Sequence, residues 1–294
     1  MMIVITGASG NIGSKIAVDL LLQGQKVRCV ARTAEKLKEF AGKGAEVAAI
    51  SLDDTGSLIQ AFSGADAVFA MIPPNYTAPD FRAYQNAIGA SQAEAIEKSG
   101  VKFIVNLSSQ GAHLPEGTGP IKGLHDQEVR LNKLRGVNIL HIRPTYFMEN
   151  LLANIDMINN MGIMGSAIRG DLKFPMVATK DIAKFAVERL MKKDYTGTSV
   201  RDLLGQRDIS MNEAAVIIAK KVNKPGLKYV QFSYEDTEKA LIGMGFSADV
   251  SRLFIEMSKA LNDQLIMDIP RTKENTTETP FEEFAEIFIR MLAA

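Results

Sequence analysis

The chain has 294 residues, of which 46% are hydrophobic and 23% charged, and its 34 basic side chains balance 34 acidic ones. A chain of this length buries enough surface to fold without disulfides or metals, and its single cysteine, Cys29, excludes an intramolecular disulfide and a cysteine-based zinc site. The zero formal charge argues against a nucleic-acid-binding protein that works by general phosphate neutralisation.

Short apolar runs alternate with helical patterns along the first half of the chain. Six runs are typical of buried strands, at 3–5, 27–31, 47–50, 67–72, 103–107 and 139–142. Helical patterns lie between them, near 11–23, 34–41, 56–62, 79–98 and 124–134. This alternation predicts an α/β fold with a doubly wound parallel sheet of the Rossmann type, in which ligands bind at the carboxyl ends of the strands.

The pattern changes after Pro144. Residues 145–176 hold five of the fourteen methionines, and a helical period returns over 177–193. Further helices are expected near 211–222, 248–264 and 280–292. The first and last of these are marked by Ser210 and Thr279, each with a glutamate three residues later, as in a capping box.

These patterns suggest a division of the chain into two parts. We expect a dinucleotide-binding Rossmann domain over 1–145. Residues 146–294 would supply the remaining sheet elements and a smaller, mostly helical C-terminal substrate lobe. The lobe would cover the cleft of the sheet and would not form a fully separate domain.

The segment TGASGNIG at 6–13 directly follows the first strand and opens the first helix. Gly7 permits a tight turn, Gly10 lets the main chain approach a pyrophosphate, and Gly13 lets the helix lie close to the sheet. The N-terminus of the helix then faces the phosphates. The segment therefore predicts a dinucleotide site, and the alternative is a turn without a ligand.

The end of the second strand indicates which dinucleotide is bound. NAD-specific sites usually present a carboxylate here, but the chain reads Val30-Ala31-Arg32-Thr33. Arg32 suits a phosphate, Thr33 could cap the next helix, and Lys36 lies one turn further. We therefore expect NADP(H), with NAD(H) less favoured. The alternative is that Arg32 is only a solvated arginine at the end of a strand.

Several motifs together resemble the NmrA-like branch of the atypical short-chain dehydrogenases/reductases. They are TGASGNIG, Arg32, SLDD, MIPP, NLSSQGA, IRPTYFMENLL and TKDIA. The resemblance covers most of the chain. It implies a Rossmann fold and a nicotinamide cofactor. Members resembling this branch include NADPH-dependent quinone, azo-dye and aromatic reductases, and also non-catalytic proteins that sense the NADP redox balance.

The resemblance also implies roles for individual residues. Arg32 would bind the extra phosphate of NADP, and Ser51 stands where relatives often have an aspartate that contacts adenine. The pyrophosphate would be held by Gly7, Ser9, Gly10, Asn11 and Ile12. The nicotinamide ribose would be lined by Met71, Ile72, Pro73 and Ser108.

The usual catalytic pair of short-chain dehydrogenases is a tyrosine with a lysine four residues later, and no tyrosine of this chain has that spacing. The remaining candidates are Ser108 at a strand end, together with Lys122 and His125, which are three apart and can share a helix face. His125 could deliver a proton near neutral pH, or it could be a solvent-facing residue at the start of a helix. The dispersed histidines offer no metal site.

Tyr146, Phe147 and Met148 lie where the sheet passes into the lobe. With other methionines they could form a flat apolar wall for a substrate, since methionine adapts to irregular ligands. They could instead pack the lobe against the sheet. We expect an NADPH-binding oxidoreductase that transfers hydride to a flat apolar acceptor such as a quinone or aromatic compound. The alternative is a non-catalytic NADP redox sensor.

The surroundings of the protein are predicted from what the sequence lacks. No apolar run reaches the roughly 20 residues of a membrane-spanning helix, and the glycine-rich start does not resemble a signal peptide. We therefore expect a cytoplasmic protein whose partner is a small-molecule substrate, not nucleic acid or a membrane. The oligomeric state and the natural substrate do not follow from the sequence.

Overall fold

Seven parallel strands form the central sheet of the computed structural model, which describes residues 1–267 and 269–292. In chain order the strands are β1 Met2–Thr6, β2 Lys26–Ala31, β3 Glu46–Ala49, β4 Ala67–Ala70, β5 Phe103–Leu107, β6 Asn138–Pro144, β7 Tyr146–Phe147, β8 Ile163–Ser166, β9 Phe174–Val177, β10 Thr198–Leu203, β11 Asp208–Ile209 and β12 Lys228–Gln231. The six strands predicted from apolar runs are confirmed, and β10 adds the seventh strand beside β6.

Helices connect these strands and cover both faces of the sheet. They are α1 Gly13–Leu22, α2 Lys38–Gly42, α3 Thr55–Phe62, α4 Phe81–Ser99, α5 Lys122–Leu131, α6 Ile155–Met161, α7 Thr179–Lys192, α8 Met211–Lys221, α9 Tyr234–Gly243, α10 Ala248–Asn262, α11 Phe281–Phe284 and α12 Ile287–Leu292. Short 3-10 segments directly precede α2, α5 and α6. Helices α1 and α7 pack on one face of the sheet, and α3, α4 and α5 pack on the other.

The sheet order is β10-β6-β5-β4-β1-β2-β3. Strand β1 lies between β2 and β4, so the direction in which strands are added reverses beside β1. In a doubly wound sheet this reversal opens a crevice at the carboxyl ends of the strands, where ligands bind. The predicted α/β fold with a doubly wound parallel sheet is therefore confirmed.

The strands are apolar on both sides because helices cover both faces. Ile3 and Ile5 of β1 pack with α1 and α7, whereas Val4 between them packs with α3 and α4. Cys29 of β2 is fully buried in the first of these layers, and burial raises the pKa of its thiol to about 12. Cys29 is thus the buried strand residue that its apolar surroundings predicted.

Residues after β6 build a second core around two small sheets. One of these sheets contains β7, β9 and β11, and the other contains β8 and β12. Ile218 of α8, Leu261 of α10, Phe281 of α11 and Phe288 of α12 are buried in this core. The C-terminal part is therefore mostly helical, as the sequence predicted.

The end of the chain differs from the prediction. The single helix expected over 280–292 is divided into α11 and α12, and Thr279 does not cap it. Its backbone N–H and hydroxyl instead donate to the buried carboxylate of Asp181 in α7, at 3.0 and 2.7 Å. A partner 98 residues away in sequence thus competes successfully with the local capping bond.

Two other local predictions have mixed outcomes. Ser210 does cap α8, because its hydroxyl accepts the backbone N–H of Glu213 at 3.1 Å. The carboxylate of Glu213 binds Arg207 at 2.6 Å and does not complete a capping box. The helix expected over 34–41 begins as a 3-10 turn before α2, and the side chain of Thr33 makes no capping bond there.

Neither a membrane span nor a metal cluster was found in the part of the chain that the structure describes. Within 1–267 and 269–292, no helix is both long and apolar enough to cross a bilayer. The same ranges contain no group of three or more histidine, cysteine, aspartate or glutamate side chains arranged to hold a metal ion.

Asp181 provides a test of how the C-terminal segment is attached. We expect Asp181→Ala to lower the free energy of unfolding by about 1–3 kcal/mol, because it leaves the buried N–H of Thr279 without a partner. The adjacent pair between Glu278 and Lys184 is exposed, so Glu278→Gln should have no measurable effect. Urea unfolding of both variants measures the difference. Equal stability of both variants would contradict this role of Asp181.

Candidate functional site

The glycine-rich segment joins β1 to α1 in a turn that excludes larger residues. Gly7 has a φ of 63°, in the left-handed region that favours glycine. A Cβ on Gly13 would lie 2.3 Å from the carbonyl oxygen of Gly7. The first helix therefore begins in direct contact with the end of the first strand.

The N-terminus of α1 is open to an anion. The residue before the helix, Ile12, makes no side-chain capping bond, and the first turn contains no acidic residue. Ser9, Gly10 and Asn11 are exposed in front of it. Backbone N–H groups and the helix dipole at such an end favour negative charge. This cradle fits the diphosphate of a dinucleotide.

The predicted site residues follow different strands and meet at one edge of the sheet. Parallel strands have their carboxyl ends on the same side, and neighbouring strands lie about 4.8 Å apart. The sheet order places Arg32 after β2, the glycine turn after β1, Met71 after β4, Ser108 after β5 and Tyr146 after β6. These residues therefore form a row along the edge in that order.

Arg32 is exposed at one end of this row, and Lys36 is exposed one turn further. Burial raises the pKa of the Tyr84 phenol on α4, and the charges of Arg32 and Asp53 also act on it. Arg32 and Asp53 are therefore within electrostatic reach of Tyr84. An exposed guanidinium beside an open anion cradle fits the additional phosphate of NADP.

The segment 71–73 is anchored at the middle of the row. The backbone N–H of Met71 donates to the Thr6 hydroxyl at 3.1 Å, and its carbonyl accepts from the Gln92 amide at 2.8 Å. Tyr84 donates to the carbonyl of Pro73 at 3.1 Å. A Cβ on Gly7 would lie 2.6 Å from the Met71 sulfur. Met71 thus packs directly against the glycine turn, while Ile72 packs with the core under α3 and α4.

Ser108 is buried and belongs to a polar cluster behind the edge. Its hydroxyl donates to Oε1 of Glu128 on α5 at 2.5 Å. Arg143 of β6 holds the same carboxylate with two hydrogen bonds, one from Nε to Oε1 at 2.9 Å and one from Nη2 to Oε2. Glu128 is 4% exposed. One buried carboxylate therefore connects the ends of β5 and β6 with α5.

His125 lies in the first turn of α5, partly buried. Its Nδ1 is 2.9 Å from the carbonyl oxygen of Ala112. A carbonyl only accepts, so Nδ1 carries a proton, and neutral His125 presents Nε2 as an acceptor. The imidazole can donate from Nε2 only as the imidazolium. The Arg82 guanidinium lowers the pKa of the neighbouring Asp126 carboxyl to about 2 and keeps it charged.

Lys122 opens α5 and is directed toward the C-terminal lobe. Its ammonium is 3.1 Å from a carboxylate oxygen of Glu256 on α10 and 3.8 Å from one of Glu116. Its side chain is only 15% exposed. The sequence prediction placed Lys122 beside His125 in catalysis, and the structure gives its charge two acidic partners.

The apolar residues at 146–148 are divided between the two cores. Tyr146 and Met148 pack in the second core, hereafter the lobe core, which surrounds the two small sheets. Tyr146 contacts Phe174 edge to face with ring centroids 5.5 Å apart. Phe147 packs instead against the core between the central sheet and helices α1 and α7, hereafter the sheet core. Burial raises the pKa of the Tyr146 phenol. Among the other methionines, Met164 is buried and Met161 is exposed, so the methionine-rich segment does not present one continuous surface.

Glu128 and its partner Arg143 are the part of the site that sequence reasoning missed. A signal was present, because Glu128 lies four residues after Leu124 and three before Leu131, on the apolar face of its helix. A charged residue at such a position calls for a buried partner. Which partner it finds depends on the pairing of β5 with β6, which local sequence does not reveal.

Comparisons with known proteins point to one family. The model of the NmrA-like family matches residues 1–285. The chain is 27% identical over 289 residues to an NAD(P)H azoreductase of Xenophilus azovorans, covering 97% of this chain and 96% of that protein. The triphenylmethane reductase of Citrobacter sp., complexed with NADP(H), superimposes with a TM-score of 0.77 at 20% identity, covering 99% of each chain. An NADPH-dependent quinone oxidoreductase of Escherichia coli, complexed with NADPH, superimposes with a TM-score of 0.73 at 21% identity, covering 97% of this chain and 99% of that one.

The glycine turn provides a matched pair of variants. We expect Gly10→Val to retain the fold, because its Cβ would meet only the Gly7 carbonyl at 3.3 Å. The variant should abolish NADPH binding, because the branched side chain would stand where the main chain is expected to approach the pyrophosphate. Gly13→Ala should damage the fold itself, because the 2.3 Å approach to the same oxygen cannot be relieved. Calorimetric titration and thermal melting separate the two effects. Normal NADPH binding by Gly10→Val would exclude this turn as the phosphate site.

Proposed function

This chain belongs to the NmrA-like family, and we propose that it is an NADPH-dependent oxidoreductase that transfers hydride to a flat apolar acceptor such as a quinone or an aromatic compound. The observation that carries the proposal is the row of residues along the carboxyl edge of the sheet. It runs from Arg32 through the glycine turn and Met71 to Ser108 and Tyr146. A phosphate site, a diphosphate site and an apolar region follow one another in the order that an extended NADPH requires.

Each part of the row has a separate task in this function. Bound NADPH supplies the hydride. The open N-terminus of α1 holds the diphosphate, and Arg32 holds the additional phosphate. Met71, Ile72 and Pro73 line the ribose next to the nicotinamide. Their backbone is fixed by hydrogen bonds from α4, so little reordering is needed when the cofactor binds.

The acceptor side favours a compound that needs little acid catalysis. Burial raises the pKa of Tyr146, so its phenol stays protonated and offers an aromatic face, not a base. A quinone takes up hydride readily and needs its proton only afterwards. His125 as the imidazolium is the candidate donor of that proton. Lys122 is paired with Glu256 and Glu116, so we assign it the role of holding the lobe over α5.

Arg32 tests the choice of cofactor. We expect the unmodified protein to bind NADPH more tightly than NADH. Arg32→Ala should weaken NADPH at least about tenfold, because charge-assisted hydrogen bonds contribute about 1.5–3 kcal/mol. NADH binding should be unchanged. Arg135 is also exposed but precedes β6 at the opposite edge, so Arg135→Ala serves as the control. Equal affinities of the unmodified protein for NADPH and NADH would contradict the assignment.

His125 and Tyr146 test the chemistry. We expect His125→Ala to slow reduction of an unactivated carbonyl about 10²-fold, since general acid catalysis typically contributes that much or more. The same variant should slow reduction of an electron-poor quinone only slightly. Tyr146→Ala should weaken both reactions.

The measurement is steady-state oxidation of NADPH with both acceptors. His113→Ala is the control, because His113 is exposed in the preceding loop. Unchanged rates in His125→Ala and Tyr146→Ala would exclude these roles. Binding of NADPH without turnover of any acceptor would favour a redox-sensing protein over a reductase.

A further inference from the structure

We propose that Glu128 is a positioning residue whose carboxylate accepts the hydrogen bond that the Ser108 hydroxyl donates, so that Ser108 faces the nicotinamide riboside as a hydrogen-bond acceptor and does not donate to the substrate. The inference rests on the proposed function, because it assumes that NADPH lies along the edge of the sheet. It goes beyond that function because it assigns a role to Glu128 and a fixed hydrogen-bonding polarity to Ser108.

The direction of the hydrogen bond follows from the charge of Glu128. Its carboxylate is held by two hydrogen bonds from Arg143, and this pairing raises the pKa of the Arg143 guanidinium. Asp202 lies beside Arg143 on the neighbouring strand, and burial raises the pKa of its carboxyl. An ionised carboxylate has no proton to give. Ser108 is therefore the donor at 2.5 Å.

The consequence for Ser108 is a fixed polarity. A hydroxyl has one proton and two lone pairs, and the proton is engaged by Glu128. The Ser108 oxygen can then only accept from other groups. The nicotinamide riboside carries matching donors, namely the carboxamide N–H and the ribose hydroxyls. The carbonyl oxygen of a substrate is itself an acceptor and does not match.

The position of the cluster makes Glu128 suited to this role. Ser108 directly follows β5, and Arg143 is the last residue but one of β6. Glu128 lies on the same helix as His125. A buried ion pair by itself adds little net stability compared with apolar side chains of similar volume. The third hydrogen bond, from Ser108, is the contact that directs the pair toward the cofactor.

A double-mutant cycle on NADPH binding tests the proposal. Affinities are measured by fluorescence titration, without any acceptor, for the unmodified protein, Ser108→Ala, Glu128→Gln and the double variant. We expect Ser108→Ala to weaken NADPH about threefold to tenfold, as the loss of one neutral hydrogen bond predicts. Glu128→Gln should weaken binding in the unmodified background but cause no further loss once Ser108 is alanine.

Thermal melting of all four proteins accounts for changes in stability. Glu94→Gln is the matched control, because Glu94 forms an exposed ion pair with Lys98 on the neighbouring helix α4. It should leave NADPH binding unchanged. If Glu128→Gln lowered the NADPH affinity equally with Ser108 present and with Ser108→Ala, the ion pair would be purely structural and the proposal would be overturned. Normal NADPH binding by Ser108→Ala would also overturn it, as would a selective loss of carbonyl reduction at saturating NADPH in that variant.

The two possible donors are distinguished by the 3-acetylpyridine analogue of NADPH, which lacks the carboxamide N–H. If Ser108 accepts from the carboxamide, Ser108→Ala does not weaken the analogue. If it accepts from the ribose, the variant weakens the analogue as much as NADPH. Failure of the proposed function is recognised separately, because it would appear as an unmodified protein that binds NADPH without reducing any acceptor.

Discussion

The contact between Gly13 and Gly7 is the constraint on which the rest of the site depends. The helix begins so close to its strand that a Cβ on Gly13 would lie 2.3 Å from the carbonyl oxygen of Gly7, so it is fixed to the end of that strand. Its N-terminus therefore lies at the carboxyl edge of the sheet and beside the point where the strand order reverses. All the other strands of this parallel sheet also end at this edge. The close contact between Gly13 and Gly7 therefore determines where the loops after those strands can meet a bound dinucleotide.

Local sequence predicted the features that local physics determines. Apolar runs indicated the strands, and the glycine spacing indicated the turn, because burial and backbone freedom act within a few residues. Prediction failed where a distant partner competes. Thr279 has the spacing of a helix cap, yet its hydroxyl binds Asp181 on α7. The position of Glu128 was visible on a helix face, but its link to Ser108 required the pairing of β5 with β6.

The acceptor region shows how secondary structure changes the meaning of a sequence run. Tyr146, Phe147 and Met148 are consecutive and apolar, which suggests a single wall. Side chains in a strand alternate between faces, and the short β7 sends Tyr146 to the lobe core and Phe147 to the sheet core. The run therefore does not form the single wall that its sequence suggests.

The polar cluster behind β5 and β6 also limits which charges can reach the nicotinamide end of the row. His141 lies between Asn106 and Asn132, and burial lowers the pKa of its imidazole to about 4, so it is uncharged near neutral pH. The charges of Glu128 and Arg143 compensate each other in one hydrogen-bonded pair. The side chains of His141, Glu128 and Arg143 are therefore polar and together carry no net charge. Such an environment orients a bound group through fixed dipoles.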